Sequence, residues 1–339
     1  MAVFRHGKRV GKRTLSGPEF FQNSGTRPLG DGQNRTRALS ASHVQHPTPV
    51  AGPSVMASTA RRAIGFMVLA ILCFSLMDAT VKALAPRIGV IPALWARYAG
   101  QMVLVVLLVL PRLHRVIRTA YPRLQLLRSL MLMCATGFFF LGISRIPLTD
   151  ATALMSVNPV FITLGAALFL GERLGPRRLL GIALALTGAL IVLRPGSDLF
   201  QPAALFPLGA AACYSTYALL TRRVGPDEDV WTSLFYTGLV GTLLLSLIVP
   251  GHWQPPGPAG WGMIALVVLF GTLGQLCLIR AFSQGEAAML APYAYCGLGF
   301  AAIWSAVFFG EFPDGWTILG ALVIAGAGLY VWHREMHSR

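Results

Sequence analysis

The chain has 339 residues, 55% of them apolar and only 12% charged. That composition excludes an ordinary soluble domain and marks an all-α polytopic membrane protein. The formal net charge of +15 reads as membrane topology rather than as a nucleic-acid surface, because most of it sits between apolar segments, so no nucleic-acid partner is expected.

Residues 1–60 are polar, rich in Gly, Ser, Arg and Pro, without periodicity, and hold eight of the 28 basic residues. They are expected to be a disordered basic tail. They have no continuous apolar run of the kind a secretory signal needs. Met56 is followed by ASTARRAIGF, a basic lead that would serve as a complete N-terminus, so the expected start is either Met1 or Met56.

Spanning hydrocarbon takes roughly 20 residues of helix. Ten segments meet that need: Ala63–Leu84, Ile91–Leu110, Leu127–Ser144, Thr149–Leu170, Leu179–Leu193, Ala203–Leu220, Val230–Val249, Trp261–Ile279, Ala287–Phe309 and Trp316–Trp332. The third and fifth are short. Cationic loops stay cytoplasmic. With the N-terminus inside, the inner segments from Arg61 onward carry fifteen Lys and Arg, whereas the outer loops carry three, Arg87, Arg145 and Arg194. Both termini are therefore expected in the cytoplasm, with the bilayer as one partner.

The segment Ala166–Gly181, AALFLGERLGPRRLLG, returns 139 residues later as Ser305–Gly320, SAVFFGEFPDGWTILG. Gly171 and Gly310 precede Glu172 and Glu311 by one position, and Gly181 and Gly320 follow them by nine. One unit has been used twice. Five helices per copy is odd, so the copies, residues 61–196 and 197–335, are expected to lie inverted in the bilayer.

The five cysteines all fall in predicted helices and form no CxxC pair, and the seven histidines all fall outside helices. A disulfide framework, a histidine-based metal site and an intramembrane histidine relay are thus not expected. There is no phosphate loop of the G-x-x-x-x-G-K-[ST] type, so ATP hydrolysis by this chain is not expected either. No cofactor is implied.

The stretch PLTDATALMSVNPVFITLGAALFLGERLGPRRLLGIALALTGALIVLRPG, Pro147–Gly196, and its counterpart APYAYCGLGFAAIWSAVFFGEFPDGWTILGALVIAGAGLYVW, Ala291–Trp332, carry a family likeness. In these two stretches the chain resembles the EamA-type permeases of the drug/metabolite transporter superfamily, over about residues 61–335. The resemblance implies ten helices in two inverted repeats and secondary transport of a small organic metabolite such as an amino acid, a vitamin or a nucleoside-type compound across a bacterial inner membrane. It leaves the substrate, direction and coupling ion unspecified. A homodimer is one arrangement left open, and a lipid flippase or intramembrane enzyme is the competing class.

A solute site is expected near the midplane, where matching helix interruptions fall in the two halves. Asn158-Pro159 interrupts the fourth helix, and Pro292, with Gly297 downstream, interrupts the ninth. A proline offers no amide and frees a carbonyl one turn back, or else only kinks the helix for packing. Ser156, Asn158, Tyr293 and Tyr295 lie beside these breaks. Ser75 of the first helix and Tyr214 and Tyr217 of the sixth are candidates to face them, the two tyrosines sharing one face. Trp304, inside its helix, is either an aromatic wall or packing, and Gln275 binds either solute or a neighbouring helix.

Asp78 and Arg97 fall at one depth, each about 9 Å below the outer surface at 1.5 Å per residue. They are expected to meet, either as a static ion pair or with Asp78 serving a gate, a proton or a substrate amine. Lys82 is expected to snorkel to the interface. Glu172, Glu311, Asp150 and Glu286 sit at helix ends, where capping or positioning explains them.

Overall fold

The computed structural model describes residues 53–170, 175–195, 201–224, 228–284 and 290–336. All the regular elements among the described residues are helices. They are α1 (Pro53–Ile88), α2 (Val90–Val109), α3 (Pro122–Ile143), α4 (Leu148–Met155), α5 (Asn158–Leu170), α6 (Pro176–Leu193), α7 (Leu205–Val224), α8 (Val230–Ile248), α9 (Gly257–Gln284), α10 (Cys296–Phe309) and α11 (Gly315–Met336), with short helical turns between some of them. An α-helix satisfies its backbone within the segment, which lipid requires.

Among the described residues, eight helices are long and apolar enough to cross a membrane, from Arg61–Ile88 through Gly315–His333. The chain is a multi-pass membrane protein. The fifth predicted helix is represented by the shorter apolar stretch Leu179–Leu193. The fourth is divided into α4 and α5 by a turn at Ser156 and Val157. The interruption falls immediately before Asn158-Pro159, where Pro159 cannot donate to the carbonyl of Met155. In the second half a 3-10 turn, Ala291–Tyr295, holds Pro292 and leads into α10.

Among the boundaries that differ from the sequence expectation, two change the reading of their segments. Helix α1 starts at Pro53, within the segment read as tail, while residues 1–52 lie outside the described residues. Helix α3 starts at Pro122 rather than Leu127, because proline is favoured in a first turn. Arg128, one of the fifteen cations assigned to the inner side, is buried inside α3.

The helices of one half pack chiefly on those of the other. Helix α1 lies along α9 and α3 along α7; α2 pairs with α8 and α6 with α11. Exchanging first-half for second-half positions turns the α1·α9 pairing into the α7·α3 pairing and returns α2·α8 and α6·α11 to themselves. The main core reflects this, joining Val81, Leu84, Phe140 and Leu154 with Ala301 and Ile324. Leu107, Leu247 and Leu322 are more than half exposed, as a lipid-facing surface requires. Helices α6 and α11 cross on glycines: a methyl group added at Gly188 would lie 2.8 Å from the carbonyl oxygen of Gly320.

Candidate functional site

A cavity of about 260 Å³ lies between the halves. It takes Ile71, Phe74, Ser75, Met77 and Asp78 from α1, Arg97 from α2, Thr136, Phe139 and Phe140 from α3, Thr152 and Met155 from α4, Tyr214 and Tyr217 from α7, Gln275 from α9, and Gly297 and Ala301 from α10. Six of the residues read as candidates from the sequence are thus brought together: Ser75, Asp78, Arg97, Tyr214, Tyr217 and Gln275.

The remaining five are not part of this lining. Ser156 donates back to the carbonyl of Thr152 at 2.8 Å. Asn158 is held by its backbone, whose carbonyl accepts from Ser215 Oγ at 2.9 Å and so ties α5 to α7. Tyr295 packs its hydroxyl end against Gly328 of α11, and Tyr293 packs beside Ala63, Met67, Ala281 and Leu290. Trp304 donates to Ser75 Oγ at 3.0 Å and stacks on Phe308, with ring centres 5.4 Å apart. It fixes α10 to α1. Pro159 and Pro292 stand at the breaks themselves.

Thr136 was missed by sequence reasoning, although it sits one helical turn before Phe139 and Phe140 and so shares their face. Its hydroxyl accepts from Arg97 Nη1 at 3.0 Å and bonds the Tyr98 hydroxyl at 3.1 Å. Arg97 Nε points at Met77 Sδ, 3.3 Å away, and its guanidinium lies 5.1 Å from the centre of the Tyr98 ring. The expected Asp78–Arg97 contact does not form: the ion pairs found within 4.0 Å leave both residues out.

At one end of the bundle three ties join the halves. Lys82 does not snorkel away; its Nζ is 2.9 Å from Glu311 Oε2 and donates to the carbonyl of Ile146 at 2.9 Å, over the Phe309 ring. Burial of the lysine stem among helix ends gives the ammonium a carboxylate and a carbonyl closer than the interface. Glu311 follows Gly310, whose φ of +65° ends α10. Its counterpart Glu172, and Glu286, lie outside the described residues. Asp150 accepts from Thr317 Oγ1 at 2.9 Å, and Arg194 pairs with Asp314. The bond from Arg194, with the Thr317 amide capping α11, holds the Asp314 carboxyl down at about 2.

At the other end of α3 the ties are of a different kind. Glu228 accepts from Thr119 Oγ1, the Ala120 amide and Gln125 Nε2 at 2.8–3.2 Å. Arg128 donates to the Ser233 carbonyl at 2.8 Å and to Thr237 Oγ1 at 3.1 Å, and covers the Tyr217 ring at 5.3 Å. Tyr236 donates to the carbonyl of Ile117 at 2.9 Å.

The chain matches the EamA-like transporter family twice, over residues 61–194 and 201–332. It is 32% identical to a riboflavin transporter of Rhizobium johnstonii over 84% of this chain and 95% of that protein. It is 26% identical to an S-adenosylmethionine uptake transporter of Rickettsia bellii, over 80% of this chain and 94% of the relative, and 32% identical to the pseudopaline exporter CntI of Pseudomonas aeruginosa, over 77% and 92%. One solved crystal structure, 17% identical, superposes with a TM-score of 0.51 over 83% of this chain and 97% of its own, which bears on the fold alone. With both halves matched and relatives aligned over nearly their full lengths, the chain belongs to the EamA-like transporter family.

Proposed function

We propose that this transporter moves its metabolite by alternating access between two inverted five-helix repeats, with the cavity as the solute site and both termini in the cytoplasm of a bacterial cell. The observation that carries the reading is the position of the cavity. It is walled by both halves and lies between two sets of ties, each of which joins one half to the other. The self-consistent exchange of helix pairings supports a pseudo-two-fold relation between the halves, and five-to-one enrichment of cations in the inner segments supports the orientation. In that orientation the Lys82–Glu311 end faces the periplasm.

The relatives' solutes, riboflavin, S-adenosylmethionine and pseudopaline, set the range of metabolites to try. The absence of a phosphate loop in the sequence favours an ion gradient or exchange as the driving force. The test begins with metabolite profiling of cells with and without the protein, which identifies a solute, followed by its flux in proteoliposomes. Thr152→Trp fills the cavity without removing a charge and is expected to cut that flux at least about 10-fold at equal protein, since overpacked side chains do not yield cheaply. Unchanged flux in that variant places the solute path elsewhere.

A further inference from the structure

The segment between α2 and α3 carries Arg112, Arg115, Arg118 and Arg123, four exposed cations in twelve residues. None of the four enters an ion pair or a side-chain hydrogen bond among the described residues. At the opposite end of the bundle Lys82 and Arg194 pair with carboxylates, and Arg145 is spent on the Leu141 carbonyl and the Phe206 ring. The described carboxylate that touches the segment, Glu228, is taken up by Thr119, the Ala120 amide and Gln125. Its neighbour Asp229 caps α8 through the Trp231 amide. The four guanidinium groups are left to face outward.

The segment that holds them is fixed. Val116 is 3% exposed, in a cluster with Val105, Val109, Leu234 and Phe235, and the Tyr236 hydroxyl and the Glu228 carboxylate grip the backbone on either side of Arg118. A signal for membrane orientation needs positive charge but no such anchoring. Residues 110–116 run as a 3-10 turn and one helical turn, and the bond from the Arg118 amide to the Arg115 carbonyl carries the coil through Arg118. Arg112, Arg115 and Arg118 recur every third residue in a coil of about three residues per turn, which gathers them on one side. Immediately before them Leu107, Leu108 and Leu110 are more than half exposed.

A fixed row of guanidinium groups beside a lipid-facing apolar strip matches a molecule with phosphate oxygens at one end and hydrocarbon at the other, because guanidinium takes phosphate oxygens two at a time. A soluble phosphate would leave the leucines unused. A choline headgroup would bring its own ammonium against the row. We propose that Arg112, Arg115 and Arg118 dock the headgroup of an anionic phospholipid, with its acyl chains along Leu107, Leu108 and Leu110. The site stands apart from the cavity and does not depend on what the cavity carries. A headgroup held there steadies the segment through which Glu228 ties one half to the other.

Full-length protein, purified in a neutral detergent and stripped of lipid, is titrated with dioleoylphosphatidylglycerol, dioleoylphosphatidylcholine or glycerol 3-phosphate, and binding is read by thermal stabilisation. The glycerol lipid is expected to half-saturate at a concentration at least about 10-fold lower than either of the others. Removing the row with Arg112→Gln, Arg115→Gln and Arg118→Gln together is expected to abolish most of that preference. Arg61→Gln, Arg62→Gln and Arg223→Gln together remove the same number of exposed arginines from α1 and α7 and are expected to keep it. If the first triple variant does not fold, its single substitutions are each expected to lower the preference about 2-fold. Equal half-saturation by the two lipids overturns the proposal, and so does equal loss in the two triple variants, which would mean diffuse charge. Protection by glycerol 3-phosphate at the concentration of the anionic lipid overturns it too, because the site would then take soluble phosphate.

Discussion

The two ends of the bundle close by different chemistry. At the Lys82 end, opposite charges face one another, Lys82 with Glu311 and Arg194 with Asp314. At the Glu228 end one carboxylate is surrounded by neutral donors, and the buried Arg128 rests on a carbonyl and a hydroxyl. An ion pair loses most when one partner is removed, because the other charge stays partly buried and unanswered. A carboxylate ringed by neutral donors loses less on neutralisation, because an amide still accepts some of the same bonds. The first end is therefore the more abrupt switch and the second the more graded one. Under the proposed alternating access, the two faces of the cycle are then unequal by construction.

The comparison is broken most severely by prising the halves apart at their closest crossing. A methyl group at Gly188 would lie 2.8 Å from the Gly320 carbonyl oxygen and 2.8 Å from Ile324, and one at Gly320 would lie 2.7 Å from the Gly188 carbonyl oxygen. Backbone cannot give way as a side-chain tip can. Gly188→Ala or Gly320→Ala is expected to cost about 1–3 kcal/mol by overpacking and to remove most of the folded protein seen by size exclusion. Gly326→Ala on the same α11, where nothing lies within 4 Å, is the control and is expected to be neutral or slightly stabilising. Equal behaviour of Gly188→Ala and Gly326→Ala would show that the crossing is looser than described.

The ends themselves are compared by labelling a Thr152→Cys reporter with a membrane-impermeant maleimide, in a background lacking Cys73, Cys134, Cys213, Cys277 and Cys296. Glu311→Gln strands Lys82, whose side chain is 11% exposed, and is expected to raise labelling about 10-fold from the side proposed to be periplasmic. Glu228→Gln is expected to raise it from the opposite side by only about 3-fold. Equal effects, or effects on the same side, would remove the proposed inequality.

Much of this frame was legible in the sequence, and what was not had physical reasons. The breaks at Asn158-Pro159 and Pro292 could be read because a missing amide is a property of the residue itself. One step further, the side chains beside the breaks do not line the cavity that the other candidates share. Tyr293 and Tyr295 lie in a 3-10 turn, whose three residues per turn move side chains off the face that α-helical spacing assigns. Asn158 serves through its carbonyl, which no side-chain pattern reveals. Arg128 is counted with the inner cations because charge patterns cannot tell an arginine near a helix end that faces lipid headgroups from one turned inward. The pairing of Lys82 with Glu311 crosses the halves, and nothing local to either residue announces it. Ser75, Asp78, Arg97, Tyr214, Tyr217 and Gln275 come together in one cavity for a simpler reason: polar side chains at membrane depth have few places to face except a cavity.

The smallest expected effect sharpens the comparison by pH. Asp314 accepts from Arg194 and, through its other oxygen, from the Thr317 amide that begins α11. Both bonds favour the ionised form, so its carboxyl lies at about 2 in the folded protein against an ordinary 3.8. A carboxyl depressed on folding stabilises the fold fully above its unfolded value and loses that contribution as pH falls through the folded one. The window is therefore about pH 4 down to about pH 2. The Asp314 side chain is 49% exposed, and a pair so open to solvent is worth only about 0.2–1 kcal/mol. Thermal unfolding of wild type and Asp314→Asn is expected to differ by that small amount at pH 7 and to converge as pH drops below 3, with salt narrowing the gap at neutral pH. A gap that persists unchanged at pH 2 would mean that Asp314 stabilises the Lys82 end through shape and capping rather than through its charge.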